Sequence, residues 1–188
     1  MDTRTYLRQM TALLEALPEA DIAVAAELLW DNYDKGRRAV FCGNGGSAAT
    51  ASHLPADFQK SMFLHAGRPW ECLSLTDSVP LLTSWGNDTS FAQIFAGQAR
   101  TWLRPDDLLV AISGSGNSPN VLAAVEAAHE IGAVTLGWSG FGGGALAGLA
   151  QHKIVVPSYN MQMVEDAHLV IGHLIYSAMR DRVLGVGE

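Results

Sequence analysis

Twice in this chain an apolar run ends in a loop of glycine and serine that opens straight into a helical pattern. Ala39-Val40-Phe41-Cys42 runs into Gly43-Asn44-Gly45-Gly46-Ser47, and the run ending at Ile112 continues into Ser113-Gly114-Ser115-Gly116-Asn117-Ser118. A strand–loop–helix unit of this kind commits the chain to parallel pairing, because the helix must carry it back before the next strand can start. Three further apolar runs, Glu71 to Leu75, Val134 to Trp138 and Ile154 to Val156, complete a set of five expected strands. Their hydrophobicity is continuous rather than alternating, which indicates a sheet buried on both faces with ligands received at the strands' carboxyl ends. Between them Val121 to Ala128 reads as a helix, with Pro119 in its first turn and Ser118 or Asn117 as its cap.

Both loops lie on that receiving edge. Free N–H groups and the positive end of a helix converge there, glycine permits close approach, and the hydroxyls of Ser47, Ser113, Ser115 and Ser118 add neutral donors. The first loop lacks the Lys-Ser/Thr pair of a P-loop, and neither loop completes the dinucleotide fingerprint, so a sugar phosphate is favoured over ATP or NAD and no nucleotide cofactor is expected. A formal charge of −7 and a pI near 5.3 offer no cationic field for nucleic acid. No apolar run is long enough to span a membrane and the first residues lack a signal-peptide core, so a cytoplasmic protein is expected. Cys42 and Cys72 fall in expected buried strands, as small apolar thiols.

At 188 residues, with no repeat or low-complexity linker, the chain reads as one domain, 1–188. Two helical patterns, Tyr6 to Leu17 and Ile22 to Tyr33, precede the first strand, and a long one from about Val164 to Val183 closes the chain. The apolar stripe of the last is wide enough to serve a second subunit as well as the core.

The polar candidates are few. His53 and Asp57 are four apart, one helical turn, and could share a metal or a proton. Glu165 and His173 lie in the final helix, with His173 set among Val170, Ile171, Leu174 and Ile175, which suggests an ionisable group in an apolar setting. On one straight helix the two would be about 12 Å apart along the axis, too far to share one metal. Either the helix starts after Glu165, or the two come from different subunits. His168 is the local competitor, whereas His65, His129 and His152 read as surface residues.

These residues resemble the sugar isomerase (SIS) domain family, and within it the phosphoheptose isomerases. The resemblance is carried by Gly43 to Ser47 with His53, Gly86-Asn87-Asp88 with Phe95 and Gln98, Ser113 to Asn120, Ala147-Gly148-Leu149-Ala150, and Glu165-Asp166-Ala167-His168 with His173. It implies a three-layer α/β/α sandwich on a five-stranded parallel sheet, with an N-terminal helical segment (1–36) used in oligomerisation. It further implies a homotetramer with active sites at subunit interfaces, and interconversion of sedoheptulose 7-phosphate and D-glycero-D-manno-heptose 7-phosphate. The substrate residues it implies are Asn44, Gly45, Ser47, Asn87, Asp88, Ser113, Gly114, Ser115, Ser118 and Glu165. Asp57, where the family has a glutamate, and His173 become the proton-transfer pair, and His53, Asp57, Glu165 and His173 match residues that hold zinc in some members. Glu165 stands for the family's glutamine, Gly114 for a threonine, Phe141 for an aspartate and Met163 for an arginine. Non-catalytic relatives bind a protein partner such as a replication initiator. That reading, and that of a sugar-phosphate sensor, stay open on sequence.

Overall fold

The computed structural model describes residues 2–186; Met1 and the last two residues of the expected 1–188 domain lie outside the described residues. Two helices, α1 (Thr3–Glu15) and α2 (Glu19–Asp34), break at Pro18 and lead into β1 (Ala39–Gly43) and α3 (Gly46–Ala66). There follow β2 (Cys72–Ser74), α4 (Val79–Asp88), α5 (Ala96–Trp102), β3 (Leu108–Ser113), α6 (Pro119–Ile131), β4 (Val134–Ser139), α7 (Leu146–Leu149), β5 (His152–Val155) and α8 (Met161–Leu184).

All five expected strands form, in one parallel sheet of order β2-β1-β3-β4-β5. Side chains alternate across it. Phe41, Val110, Ile112, Leu136 and Trp138 pack with residues of α1, α2, α3 and α8, while Val40, Cys42, Leu109 and Ala111 pack with residues of α5 and α6. Helices therefore cover both faces, which explains the continuous hydrophobicity of the strands. His152 departs from expectation: it opens β5 opposite Leu136 and is half-buried. Cys42 and Cys72 are free and buried, and burial pushes the Cys42 thiol up to about 12, so neither serves as a nucleophile.

The sheet order places the site. Successive connections from β1 run in opposite directions along the sheet, to β2 on one side and to β3 on the other. At such a switch point the loops after the two strands part and leave a crevice at their carboxyl ends. The two glycine-serine loops are the loops after β1 and β3.

Candidate active site

The loops meet in a cavity of about 230 Å³ lined by Asn44, Gly45, Ser47, Ser113, Gly114, Ser115, Ser118, Met161 and Glu165. Reciprocal amide bonds lock one loop to the other, from Asn44 Nδ2 to Asn120 Oδ1 at 2.8 Å and from Asn120 Nδ2 to Asn44 Oδ1 at 2.9 Å. Helices α3 and α6 both start at this cup without a side-chain cap, unlike α1, α4 and α8, which are capped by Asp2, Ser78 and Asn160. Ser118 does occupy the cap position of α6, but its hydroxyl turns to Ser113 Oγ, 3.0 Å away. The positive helix ends thus remain directed at the cavity. Asn120 and Met161 escaped the reading of site residues. The sequence signal for Asn120 is an amide directly after the proline that starts α6; Met161 has none, since its place depends on space.

Gly114 supplies that space. A Cβ there would lie 2.4 Å from Met161 Sδ, so the thioether fills the volume that a larger residue at 114 would need.

From the cup a groove of about 370 Å³ runs between α3 and α8, lined by Gly46, Ala49, Thr50, His53, Glu165, Asp166, Leu169 and His173. At its far end His53 Nε2 and His173 Nε2 face each other at 2.9 Å, and Asp57 Oδ2 lies 3.1 Å from the first and 3.7 Å from the second. Pro55 sits inside α3, yet the turn from His53 to Asp57 is kept. The meeting of the two histidines depends on close helix packing: a Cβ on Gly172 would come within 2.4 Å of Leu54 Cδ2. The neighbours of these two residues, His173 and His53, are thereby brought into contact.

The structure corrects the polar candidates in two respects. His173 is not buried, because its side chain is 48% exposed on the groove side of α8. The buried histidine is His168, which faces Trp138 and places Nε2 3.3 Å from the Ser139 carbonyl; burial pulls it down to about 4. It takes no part in the site. As expected, Glu165 and His173 share the final helix; α8 begins at Met161, which removes the alternative of a helix that starts after Glu165, and Glu165 lies at the cup end. Asn87 and Asp88 are exposed at the end of α4, with Asn87 Nδ2 donating to Asp88 Oδ1, and they line neither cavity.

The donor atoms of His53, Asp57 and His173 all fall within 4.8 Å of one another. Tetrahedral zinc with bonds near 2.0–2.2 Å needs its ligands about 3.3 Å apart. The three separations above straddle that value, and two imidazoles with one carboxylate form a donor set that zinc accepts. The residues fit such an ion.

The family model for the SIS domain matches residues 5–140. The chain belongs to the SIS domain family. It is 41% identical over 160 residues to a phosphoheptose isomerase of Rhodospirillum rubrum, covering 85% of each chain. A phosphoheptose isomerase of Nitratidesulfovibrio vulgaris (strain Miyazaki F) is 44% identical over 141 residues, 75% of this chain and 67% of the relative. The solved phosphoheptose isomerase of Francisella tularensis superposes with a TM-score of 0.87 at 31% identity, covering 95% of this chain and 96% of that one. Within the SIS family the chain therefore groups with the phosphoheptose isomerases.

Proposed function

We propose that the protein is an aldose–ketose isomerase of phosphorylated sugars that converts sedoheptulose 7-phosphate to D-glycero-D-manno-heptose 7-phosphate in the cytoplasm. The observation that carries this reading is a single groove with an anion-receiving cup at one end and a His–Asp–His cluster at the other. The names of its relatives support the same reaction. Ser47 and His53 lie six residues apart on α3, about 9 Å of helix axis, which suits an extended sugar whose phosphate and carbonyl ends are both held.

Phosphate rests on the amide ends of α3 and α6 and on the hydroxyls of Ser47, Ser113, Ser115 and Ser118, with Asn44, Gly45 and Gly114 shaping the cup. Asp57 removes a proton from the carbon beside the carbonyl while His173 gives one to the carbonyl oxygen, leaving an enediol. Asp57 then returns the proton to the former carbonyl carbon, and His173 takes the proton of the neighbouring hydroxyl as the new carbonyl forms. His53, beside both groups, orients them. His53, Asp57 and His173 would hold zinc; when bound, the ion supplies Lewis-acid polarisation of the carbonyl. Glu165, about 12 Å along α8 from His173, stays at the cup instead of joining that set.

Neighbouring copies are part of the proposal. His53 and His173 are nearly half exposed, whereas proton transfer of this kind works best away from bulk water. An apolar groove of about 400 Å³ between α1, α2 and α8, lined by residues including Leu14, Leu17, Ile22, Leu174 and Ala178, continues from the same helix. A homotetramer that packs residues 1–36 and α8 against other copies covers both, and gives Asn87 and Asp88 a neighbour's site to reach. Turnover of sedoheptulose 7-phosphate in D2O tests the reaction: deuterium should enter the carbon next to the carbonyl. A zinc-supplied protein that binds the sugar phosphate and never isomerises it would leave the binding-only reading in its place.

A further inference from the structure

Glu165 places a carboxylate in a cavity whose other features all attract an anion. A Cβ built on Gly46 would lie 2.3 Å from its Cδ and Oε2 and 2.6 Å from its Oε1, so the carboxylate rests on the first turn of α3. Glu165 lines the cup and the groove alike, and no lysine or arginine lines either among the described residues. The other ionisable groups along the groove are His53, Asp166 and His173. A phosphate in the cup therefore shares a helix terminus with a negative charge at short range, where Coulomb repulsion is only partly screened. A carboxylate also accepts hydrogen bonds and donates none.

We infer that Glu165 is a specificity-determining residue: it opposes a bare phosphate anion and favours a phosphorylated ligand that presents a hydroxyl donor beside the phosphate. The inference rests on the cup being the phosphate site. A polyol phosphate running along the groove from cup to His53 carries hydroxyls on the carbons next to the ester, where Glu165 stands between the two cavities. Inorganic phosphate has no donor arm on a neighbouring carbon; its own P–OH lies on the charged group itself and leaves the repulsion in place. The same carboxylate therefore weakens one ligand and is offset by hydrogen bonds in the other.

Calorimetric titration of the full chain with inorganic phosphate and with sedoheptulose 7-phosphate, for wild type and Glu165→Gln, tests this. Glu165→Gln should bind inorganic phosphate about five- to tenfold more tightly and change sedoheptulose 7-phosphate by about twofold or less. The gain for inorganic phosphate should shrink in about 0.5 M salt. Glu165→Ala, on the surface of a helix it suits well, should show the same gain for inorganic phosphate while losing affinity for the sugar phosphate. Unchanged or weaker binding of inorganic phosphate in both variants, or equal changes for the two ligands, overturns the inference and leaves the cup intact. Saturation of neither protein by either ligand removes the cup and the inference with it.

Discussion

Adding one methyl group at Gly172 tests whether the contact between α3 and α8 is what assembles the His53–Asp57–His173 cluster. The Cβ of Gly172→Ala would sit 2.4 Å from Leu54 Cδ2, 3.0 Å from Cδ1 and 3.2 Å from Cγ, and Leu54 is fully buried. Normal contact requires the helices to part, or Leu54 to leave its rotamer, by roughly 1 Å, at a cost of about 1–3 kcal/mol. Alanine returns about 1 kcal/mol of helix propensity, so urea unfolding should show a net loss of only about 0–2 kcal/mol. The site should suffer more, because the 2.9 Å approach of His53 and His173 is set by the same seam. Zinc affinity, followed by competition with a chromophoric chelator, should fall by about ten- to a hundredfold, the range seen when the support of a metal site is disturbed. Leu54→Ala removes the clashing methyls, and in the double variant zinc binding should recover with a favourable coupling of about 1 kcal/mol in stability. Full zinc affinity in Gly172→Ala, or no relief from Leu54→Ala, would refute the argument that this close approach builds the cluster.

Asp57→Asn and His173→Gln should each lower kcat by about 100-fold or more while KM changes little, measured by steady-state isomerisation of sedoheptulose 7-phosphate. Ser115 Oγ accepts the Asn117 N–H and keeps its own proton for a ligand, so Ser115→Ala should weaken phosphate binding by about 1–2 kcal/mol in calorimetry. His168 is held near 4 in the fold against an ordinary 6.5, so the stability it contributes is complete above about pH 6.5 and is lost as pH falls towards 4. Urea unfolding at fixed protein concentration should show the wild type losing roughly 3 kcal/mol relative to His168→Leu between pH 7 and pH 4; parallel pH profiles for the two proteins would contradict this. Light scattering at micromolar concentration should give the mass of four chains, and an active monomer would rule out a site completed by neighbours.

The strands were legible in the sequence because each is buried on both faces, so that nearly every residue from Leu108 to Ile112 must be apolar whichever way it points. The helices were legible in proportion to the core they cover. α6 buries Val121, Ala124, Val125 and Ala128 on one face and repeats at the helical period, whereas α4 buries none of its residues and leaves Val79 and Leu81 exposed. Nothing in such a segment follows a period that the monomer's own core would impose. α5 spans seven residues, under two turns, too few to show a period. In α8 the wide stripe resolves into two parts: Val164, Ala167, Ile171, Ile175 and Met179 face the core, while Leu169 and Leu174 stay 36% and 50% exposed.

For the site, local patterns carried the cup and failed on the histidines, and the difference lies in what each depends on. A cup made of helix ends and short hydroxyls is encoded almost entirely within two loops, and the sheet order needs only to set β1 beside β3 for the loops to meet. A histidine's surroundings are decided by the helix face, which its sequence neighbours do not reveal. Ile171 and Gly172 point inward and His173, one residue later, has turned out towards α3, whereas His168 stands one turn before Gly172 on the inward face. The apolar neighbours of His173 therefore describe the core that its helix covers and not the groove that its ring enters. What brings His173 into the cluster is long-range: Gly172 meets Leu54, and the next residue on one helix meets the previous one on the other. Sequence spacing captured the local half of the cluster, His53 with Asp57, and the structure adds the half that depends on two helices touching.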